Sequence, residues 1–204
     1  MRPIYYEIHV SVANATPQAF QQGCARVGVK PVVLALQKRE GASLQDMMTS
    51  SVVQGDDATA FVEMERIAQA LQAQGFEVVR RKMEVVPWHP LAPSEENGLA
   101  FGAGQYFESH LEVRIVHEEA ATRLRTLARE AQAHLSKNAF KELEDGTYTQ
   151  MLTLRHYTGT RESFERARDQ LAGLLRAEAF EVGKVVTEFA LFDSNVHHDH
   201  EWVS

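Results

Sequence analysis

Two strand-like segments of the chain carry a glutamate and a histidine at the same spacing. The segment YYEIHVSV contains Glu7 and His9, and the segment YFESHLEV contains Glu108 and His110, 101 residues further along. Side chains at positions i and i+2 of a strand lie on the same face of a sheet. An imidazole beside a carboxylate can exchange protons, bind a metal ion or hold a polar ligand by hydrogen bonds. The repeated pair therefore marks a candidate site in each half of the chain.

The alternation around these pairs predicts which side chains share a face. In the first segment an apolar set, Tyr6, Ile8, Val10 and Val12, alternates with a polar set, Tyr5, Glu7, His9 and Ser11. This period of two is typical of a strand with one buried face. We expect the apolar sets to pack under helices. The uncovered face is then predicted to carry Glu7, His9, Ser11, Thr49 and Ser51 in one half, and Tyr106, Glu108, His110, Glu112, Thr153 and Arg155 in the other.

The elements that position these residues also recur. The segment from Phe61 to Val86 and the segment from Phe164 to Phe192 each predict a helix, the letters FEV and a strand. Each half is predicted to have the order strand, helix, strand, strand, helix, strand, which is the ferredoxin-like motif. The fold class predicted is α+β, a tandem duplication of a ferredoxin-like βαββαβ unit. Its antiparallel sheets carry helices on one face, and they pair either edge to edge or face to face.

Composition changes between the two halves. Residues 87–105 contain three prolines and three glycines, a composition typical of a linker. We predict a first repeat over residues 1–87, a linker over 88–105, and a second repeat with a C-terminal tail over 106–204. In the last strand of the first repeat, Arg80, Arg81 and Lys82 are interpreted as charges that guard an exposed sheet edge. The alternative is that Arg80 and Lys82 border the polar face.

The preferred functional interpretation is a ligand-binding or interaction module. The predicted contacts to a small polar ligand come from the uncovered faces: Glu7, His9, Ser11, Thr49, Ser51, Glu108, His110 and Arg155. The imidazoles would donate or accept hydrogen bonds, and the carboxylates would orient them or meet a cationic group. A solvated polar face without any ligand is the simpler interpretation, because antiparallel sheets often leave one face wet.

The letters HVSV, from His9 to Val12, support a second interpretation. They resemble the His-hydrophobe-Ser/Thr-hydrophobe motif of the two-histidine phosphoesterases, which have two pseudo-symmetric lobes. The resemblance implies a hydrolase in which His9 and His110 act as general acid and base on a cyclic phosphate or a 2′,5′ linkage. The second copy departs from the motif, because it reads HLEV and places Glu112 where serine or threonine belongs. The sequence leaves open whether the chain is an enzyme.

A third interpretation is a divalent-metal site formed by Glu7, His9, Glu108 and His110. Two imidazoles and two carboxylates can ligate Zn²⁺ if the two strands approach closely. The sequence predicts no other cofactor.

The overall composition excludes several classes of partner. The 204 residues carry a formal net charge of −7, so the basic surface typical of a duplex-binding protein is not expected.

One cysteine, Cys24, excludes an internal disulfide and fits a reducing compartment. We expect neither a signal peptide nor a membrane span, and therefore a cytoplasmic protein. Assembly into a homo-oligomer stays open.

Overall fold

The computed structural model describes residues 4–37, 43–142 and 147–198, and it shows two βαββαβ units in tandem. The first unit has strands β1 (Ile4–Ala13), β2 (Lys30–Gln37), β3 (Ser43–Gly55) and β4 (Glu77–Val85), with helices α1 (Pro17–Val27) and α2 (Asp57–Gln72). The second has strands β5 (Tyr106–Ile115), β6 (His134–Glu142), β7 (Tyr148–His156) and β8 (Val182–Asp193), with helices α3 (Glu118–Glu130) and α4 (Arg161–Ala177). The predicted α+β ferredoxin-like duplication is confirmed.

Local signals determine where the helices begin and end. Thr16 caps α1 through its side chain, which accepts a hydrogen bond from the backbone of Ala19, and Pro17 occupies the first turn. Gly28 ends this helix with a φ of 79°, a left-handed conformation that glycine adopts without steric cost. Asp56 caps α2, and Thr160 caps α4 as part of a capping box.

The two sheets form one closed barrel with the strand order β1-β3-β2-β6-β7-β5-β8-β4. All of the strand pairs described are antiparallel, and the repeats join at two seams. At one seam β2 pairs with β6, and at the other β4 pairs with β8. The strand β4 is therefore an internal strand, so the interpretation of Arg80, Arg81 and Lys82 as guards of an exposed edge was wrong. Closing the sheet removes its edges.

The helices pack against the outside of the barrel, where the apolar sets form the core. Tyr6, Ile8 and Val10 of β1 are buried there, as are Phe107 and Leu111 of β5. The opposite face of the sheet lies inside the barrel. The polar faces therefore line the barrel interior, where Glu84 and Glu108 are buried and the side chain of Glu7 stays 38% exposed. A polar face that is solvated throughout was therefore not the correct interpretation. Within the described ranges, none of the helices is both long and apolar enough to cross a membrane.

Candidate functional site

The glutamate–histidine pairs of both repeats point into the barrel and line one cavity of about 240 Å³. Barrel closure brings them to the same space, because three strand pairings connect β1 through β4 and β8 to β5. The cavity is lined by charged and polar side chains together with a smaller apolar group, Met48, Met151 and Val186. A second cavity, of about 300 Å³, adjoins it on the side of β2 and β6 and shares Glu7, His9, His110 and Glu112.

A buried lysine connects the two repeats. The Nζ atom of Lys82 lies 2.7 Å from Oε1 of Glu84 and 2.8 Å from Oε1 of Glu108. The second oxygen of Glu108 accepts a hydrogen bond from Nε of Arg155. The side chain of Glu108 is 1% exposed and that of Lys82 is 7% exposed. Each buried charge has an opposite charge in contact, the condition under which charge is tolerated in a protein interior.

The charges in this cluster shift one another's protonation. Burial alone would lower the pKa of Lys82, but Glu108 and Glu84 raise it well above its ordinary value. Burial alone would raise the pKa of Glu108, but Arg155 and Lys82 hold it well below its ordinary value. Burial likewise opposes ionisation of Glu84, and Lys82 with His9 nonetheless lowers its pKa to about 2. All three groups are therefore ionised at neutral pH.

Each histidine bridges two carboxylates from neighbouring strands. Nε2 of His9 lies 3.0 Å from Oε2 of Glu84 and 3.6 Å from Oε1 of Glu7. Its Nδ1 lies 2.9 Å from the carbonyl oxygen of Thr49, so both ring nitrogens face acceptors. An imidazole can donate at both nitrogens only when it is protonated. Burial would lower the pKa of His9, but the hydrogen bond and the charge of Glu84 raise it above its ordinary value.

The second histidine has a different set of contacts. Nε2 of His110 lies 2.9 Å from Oε1 of Glu108 and 3.8 Å from Oε2 of Glu188. Its Nδ1 lies 3.0 Å from the hydroxyl of Thr153. One proton on Nε2 satisfies these contacts, because the Thr153 hydroxyl can donate to Nδ1.

A second buried ion pair supports the β4–β8 seam. Nε and a terminal nitrogen of Arg80 contact the two oxygens of Asp193 at 3.0 and 2.6 Å. The hydroxyl of Tyr106 donates to Asp193 at 2.8 Å and accepts from Arg80 at 3.1 Å. Burial would raise the pKa of Asp193, but the hydrogen bond and the charge of Arg80 lower it. This bidentate pair fixes β4 against β8.

Glu188 differs from the other carboxylates in the cavity. Burial and the negative charges of Glu84, Glu7 and Glu108 raise the pKa of Glu188 to about 9. In the part of the chain that the structure describes, the basic side chain in contact with it is that of His110, whose Nε2 lies 3.8 Å from Oε2 of Glu188. At neutral pH this carboxyl group is therefore protonated.

The structure places most of the predicted site residues inside the barrel, and it corrects two of them. Glu7, His9, Ser11, Glu108, His110 and Arg155 line the cavities. Ser51 lies opposite Ile8 in the β1–β3 register, and Thr49 accepts a hydrogen bond from the backbone of Val10. Both belong to the face under the helices, so their predicted place beside His9 was wrong. Met48 and Ser50 occupy the inner face of β3 instead.

Glu84 and Glu188 also line the cavity, although they are not among the site residues predicted from sequence. Arg80, Lys82 and Glu84 alternate along β4, and this period of two was the signal for a shared inner face. In the segment VVTEFALF, Glu188 interrupts an apolar run in the same way that Glu84 interrupts the run in β4.

The structure also changes the composition of the predicted metal site. Among the described residues, ligand atoms of Glu84, Glu108 and His110 lie within 4.8 Å of one another. Glu7 and His9, which the sequence predicted as ligands, are not part of this group. The ammonium group of Lys82 contacts both glutamates, so a metal ion would have to displace it. The metal site stays a prediction.

The carboxylates around the two histidines argue against the phosphoesterase interpretation. Glu112, which stands in place of the motif's hydroxyl residue, lines the same cavity as the two histidines. Each histidine also contacts carboxylates through Nε2, the nitrogen that would have to face a phosphate. Carboxylates repel phosphate oxygens, so these contacts disfavour a phosphate between the two imidazoles.

No protein-family model matches the chain, and no curated protein matches it. The acetolactate synthase small subunit from Thermotoga maritima is 16% identical, with 91% of this chain and 94% of that chain covered and a TM-score of 0.30. The aspartate kinase regulatory subunit from Thermus thermophilus is 13% identical, with 83% and 91% covered and a TM-score of 0.32. A heme-binding protein, also from Thermus thermophilus, is 9% identical, with 93% and 92% covered and a TM-score of 0.31. Similarities at this level carry no information about the chemistry inside the barrel.

Proposed function

We propose that the chain is a small-ligand-binding protein whose ligand lies inside the barrel, between the two repeats. The observation that carries this proposal is the 240 Å³ cavity lined by Glu7 and His9 of one repeat and by Glu108 and His110 of the other. Small-ligand sites are typically concave, with apolar walls and a few convergent polar groups. Here Met48, Met151 and Val186 supply apolar wall, and the glutamate–histidine pairs supply the polar groups.

Two features of the cavity support a ligand over a purely structural polar core. Lys82 and Arg155 already compensate the buried charges of Glu84 and Glu108. Stability therefore does not require the further carboxylates of Glu7 and Glu188 in the same cavity. Glu188 is in addition protonated at a cost to folding, which is a frequent property of functional sites.

The experiment compares ligand-induced thermal shifts of the parent protein and of His110 variants. Three probes of equal length differ in charge: butylamine, butyrate and butanol. We expect at least one probe to raise the melting temperature of the parent and to lose this effect in His110→Ala. His110→Gln keeps an N–H donor toward Glu108, so it tests the same position with less risk to folding. His117→Asn is the matched control, because His117 caps α3 outside the cavity and asparagine preserves the cap.

Two results would contradict the proposal. One is a parent protein that responds to none of the probes. The other is a response of full size in both His110 variants, which would place the bound probe elsewhere on the molecule.

A further inference from the structure

The inner faces of the two repeats correspond position by position. Across β1 and β4, Glu7 lies opposite Glu84, and across β5 and β8, Glu108 lies opposite Glu188. Glu84 and Glu188 are therefore equivalent residues of the two repeats. Each histidine contacts the glutamate of its own strand and that of the neighbouring strand, which extends the correspondence to contacts inside the barrel.

This correspondence fails at a lysine. In the first repeat His9 lies opposite Lys82, whereas in the second repeat His110 lies opposite Val186. Val186 therefore takes the place of the lysine whose ammonium group joins Glu84 to Glu108. Glu188, the equivalent of Glu84, has an uncharged neighbour at this position.

The correspondence fails a second time at an arginine. Glu108 lies opposite Arg155 on β7, whereas its equivalent, Glu7, lies opposite Val52 on β3. Glu108 accepts a hydrogen bond from Arg155, but Glu7 accepts one from the neutral hydroxyl of Ser50, at 2.9 Å. The two replacements are independent of each other. Both remove a positive charge from Glu7 and Glu188, the pair that is equivalent to Glu108 and Glu84.

We propose that a small organic ammonium ion binds between Glu7 and Glu188, in the position equivalent to that of the Lys82 ammonium group between Glu84 and Glu108. This inference rests on the proposed function and names the class of ligand. Both carboxylates line the 240 Å³ cavity, and Val186 lies in the same wall. The aliphatic part of the ligand packs against Met48 and Met151, whose unbranched, polarisable side chains adapt to irregular apolar groups.

The protonation of Glu188 follows from the same asymmetry. The equivalent glutamate, Glu84, has a pKa of about 2 beside Lys82, while the pKa of Glu188 is raised to about 9 by burial and by Glu84, Glu7 and Glu108. A bound ammonium ion stabilises the ionised carboxylate, so binding at neutral pH releases a proton from Glu188. The other titratable groups that line this cavity are Glu7, His9, Arg80, Lys82, Glu84, Glu108, His110, Glu112 and Lys184.

Lys184 does not replace the missing cation at Glu188. It lies four residues away on β8, roughly 13 Å along an extended strand. Its side chain is exposed near the start of β8.

The experiment measures binding of butylamine by calorimetry at neutral pH, with butanol as the neutral probe of equal length. We expect the parent protein to bind butylamine more tightly than butanol and to release a proton, detected by repeating the titration in buffers of different ionisation enthalpy. Glu188→Gln and Glu7→Gln should each weaken butylamine binding by about 10- to 100-fold, the typical effect of losing a charged hydrogen bond. Glu181→Gln is the matched control, because Glu181 is an exposed glutamate next to β8.

A second variant tests the internal equivalence directly. Val186→Lys restores in the second repeat the cation present in the first, and we expect it to weaken butylamine binding while the protein stays folded. Val186→Met has a side chain of similar length without a charge, and it should bind butylamine more tightly than Val186→Lys does.

The possible failures are distinguishable. Equal binding of butanol and butylamine, or unchanged butylamine binding in Glu188→Gln, would overturn the ammonium assignment. Binding of Mn²⁺ but not butylamine, lost in Glu188→Gln, would also overturn it in favour of a metal ion. If butyrate or butanol stabilises the parent and loses its effect in His110→Ala, the proposed function stands without the ammonium ligand. A parent that responds to none of the probes contradicts both proposals.

Discussion

At the scale of single residues, folding raises the pKa of the Glu188 carboxyl group, so keeping this group in the barrel costs stability at neutral pH. Its folded-state pKa of about 9 lies above the ordinary value of 4.5. Folding therefore takes up a proton at any pH between these two values, and the free energy of unfolding decreases as the pH rises through this window. Below the lower value the carboxyl group is protonated in both the folded and the unfolded chain, so the cost disappears.

This pKa predicts a pH-dependent gain of stability in Glu188→Gln. At pH 7 the protonation penalty is on the order of 3 kcal/mol, and glutamine removes it. We expect the variant to match the parent at about pH 4 and to exceed it increasingly up to about pH 8, measured by urea denaturation. Glu181→Gln should show no such trend. A gain of equal size at both ends of the pH range would mean that packing, and not protonation, causes it.

The alternation of apolar and polar residues predicts the inner face of β1 but not that of β3. The segment YYEIHVSV alternates cleanly, so the inner position of Glu7 and His9 follows from sequence. The segment MMTSSVV of β3 contains pairs of like residues, and a shift of one position exchanges every side chain between the two faces. The pairing register between β1 and β3 places Met48 and Ser50 on the inner face. This register cannot be predicted from the residues of β3 alone.

At the scale of elements, the contacts that the structure describes at the two seams of the barrel differ. At the β4–β8 seam, the Arg80–Asp193 pair and a hydrogen bond from the backbone of Ser194 to Arg81 add to the strand pairing. At the β2–β6 seam, the strand pairing that the structure describes runs from Leu34 to Leu36. The 300 Å³ cavity is lined by Leu34 and by residues of β6, so it lies along this second seam.

We therefore expect backbone amides of the β2–β6 seam to exchange with solvent faster than those of the β4–β8 seam. A buried ion pair crosses the β4–β8 seam, and local opening costs more free energy where buried contacts must be broken. Hydrogen-exchange mass spectrometry of the full chain would measure both seams at once. Asp193→Asn, which removes the charge that holds Arg80, should accelerate exchange in β4 and β8 and leave the β2–β6 seam unchanged. Faster exchange at β4–β8 in the parent protein would contradict this order.

At the scale of the whole molecule, the duplication can be predicted from sequence but the closed barrel cannot. Strand and helix order follows from periods of two and of three to four residues, and the repeat is visible because both halves keep them. Closure depends on pairs such as Leu34 with Asn138 and Lys82 with Asp193, which are more than 100 residues apart. Local periodicity carries no information about which edges meet, so the enclosed site could be anticipated only as two separate polar faces.

Closure also makes the two repeats depend on each other. Lys82 of the first repeat neutralises Glu108 of the second, and Arg80 neutralises Asp193 in the same way. Separating the halves would expose two strand edges in each and break the Lys82–Glu108 and Arg80–Asp193 ion pairs. Lys82 would keep Glu84, and Glu108 would keep Arg155. Removing one member of a buried pair typically costs ~3–5 kcal/mol.

This dependence predicts that the two repeats stay folded and associated after the chain is cut in its linker. A protease site inserted after Glu96, in an exposed loop, would divide the chain between the two repeats. We expect the two fragments to elute together in size-exclusion chromatography and to unfold in one transition, because both seams and the Lys82 cluster remain. The same cut in Asp193→Asn should lower the denaturant concentration at which the fragments separate. Fragments that separate in native buffer and stay folded alone would mean that each repeat is an independent domain, and that the buried charges between them contribute little to the closed form.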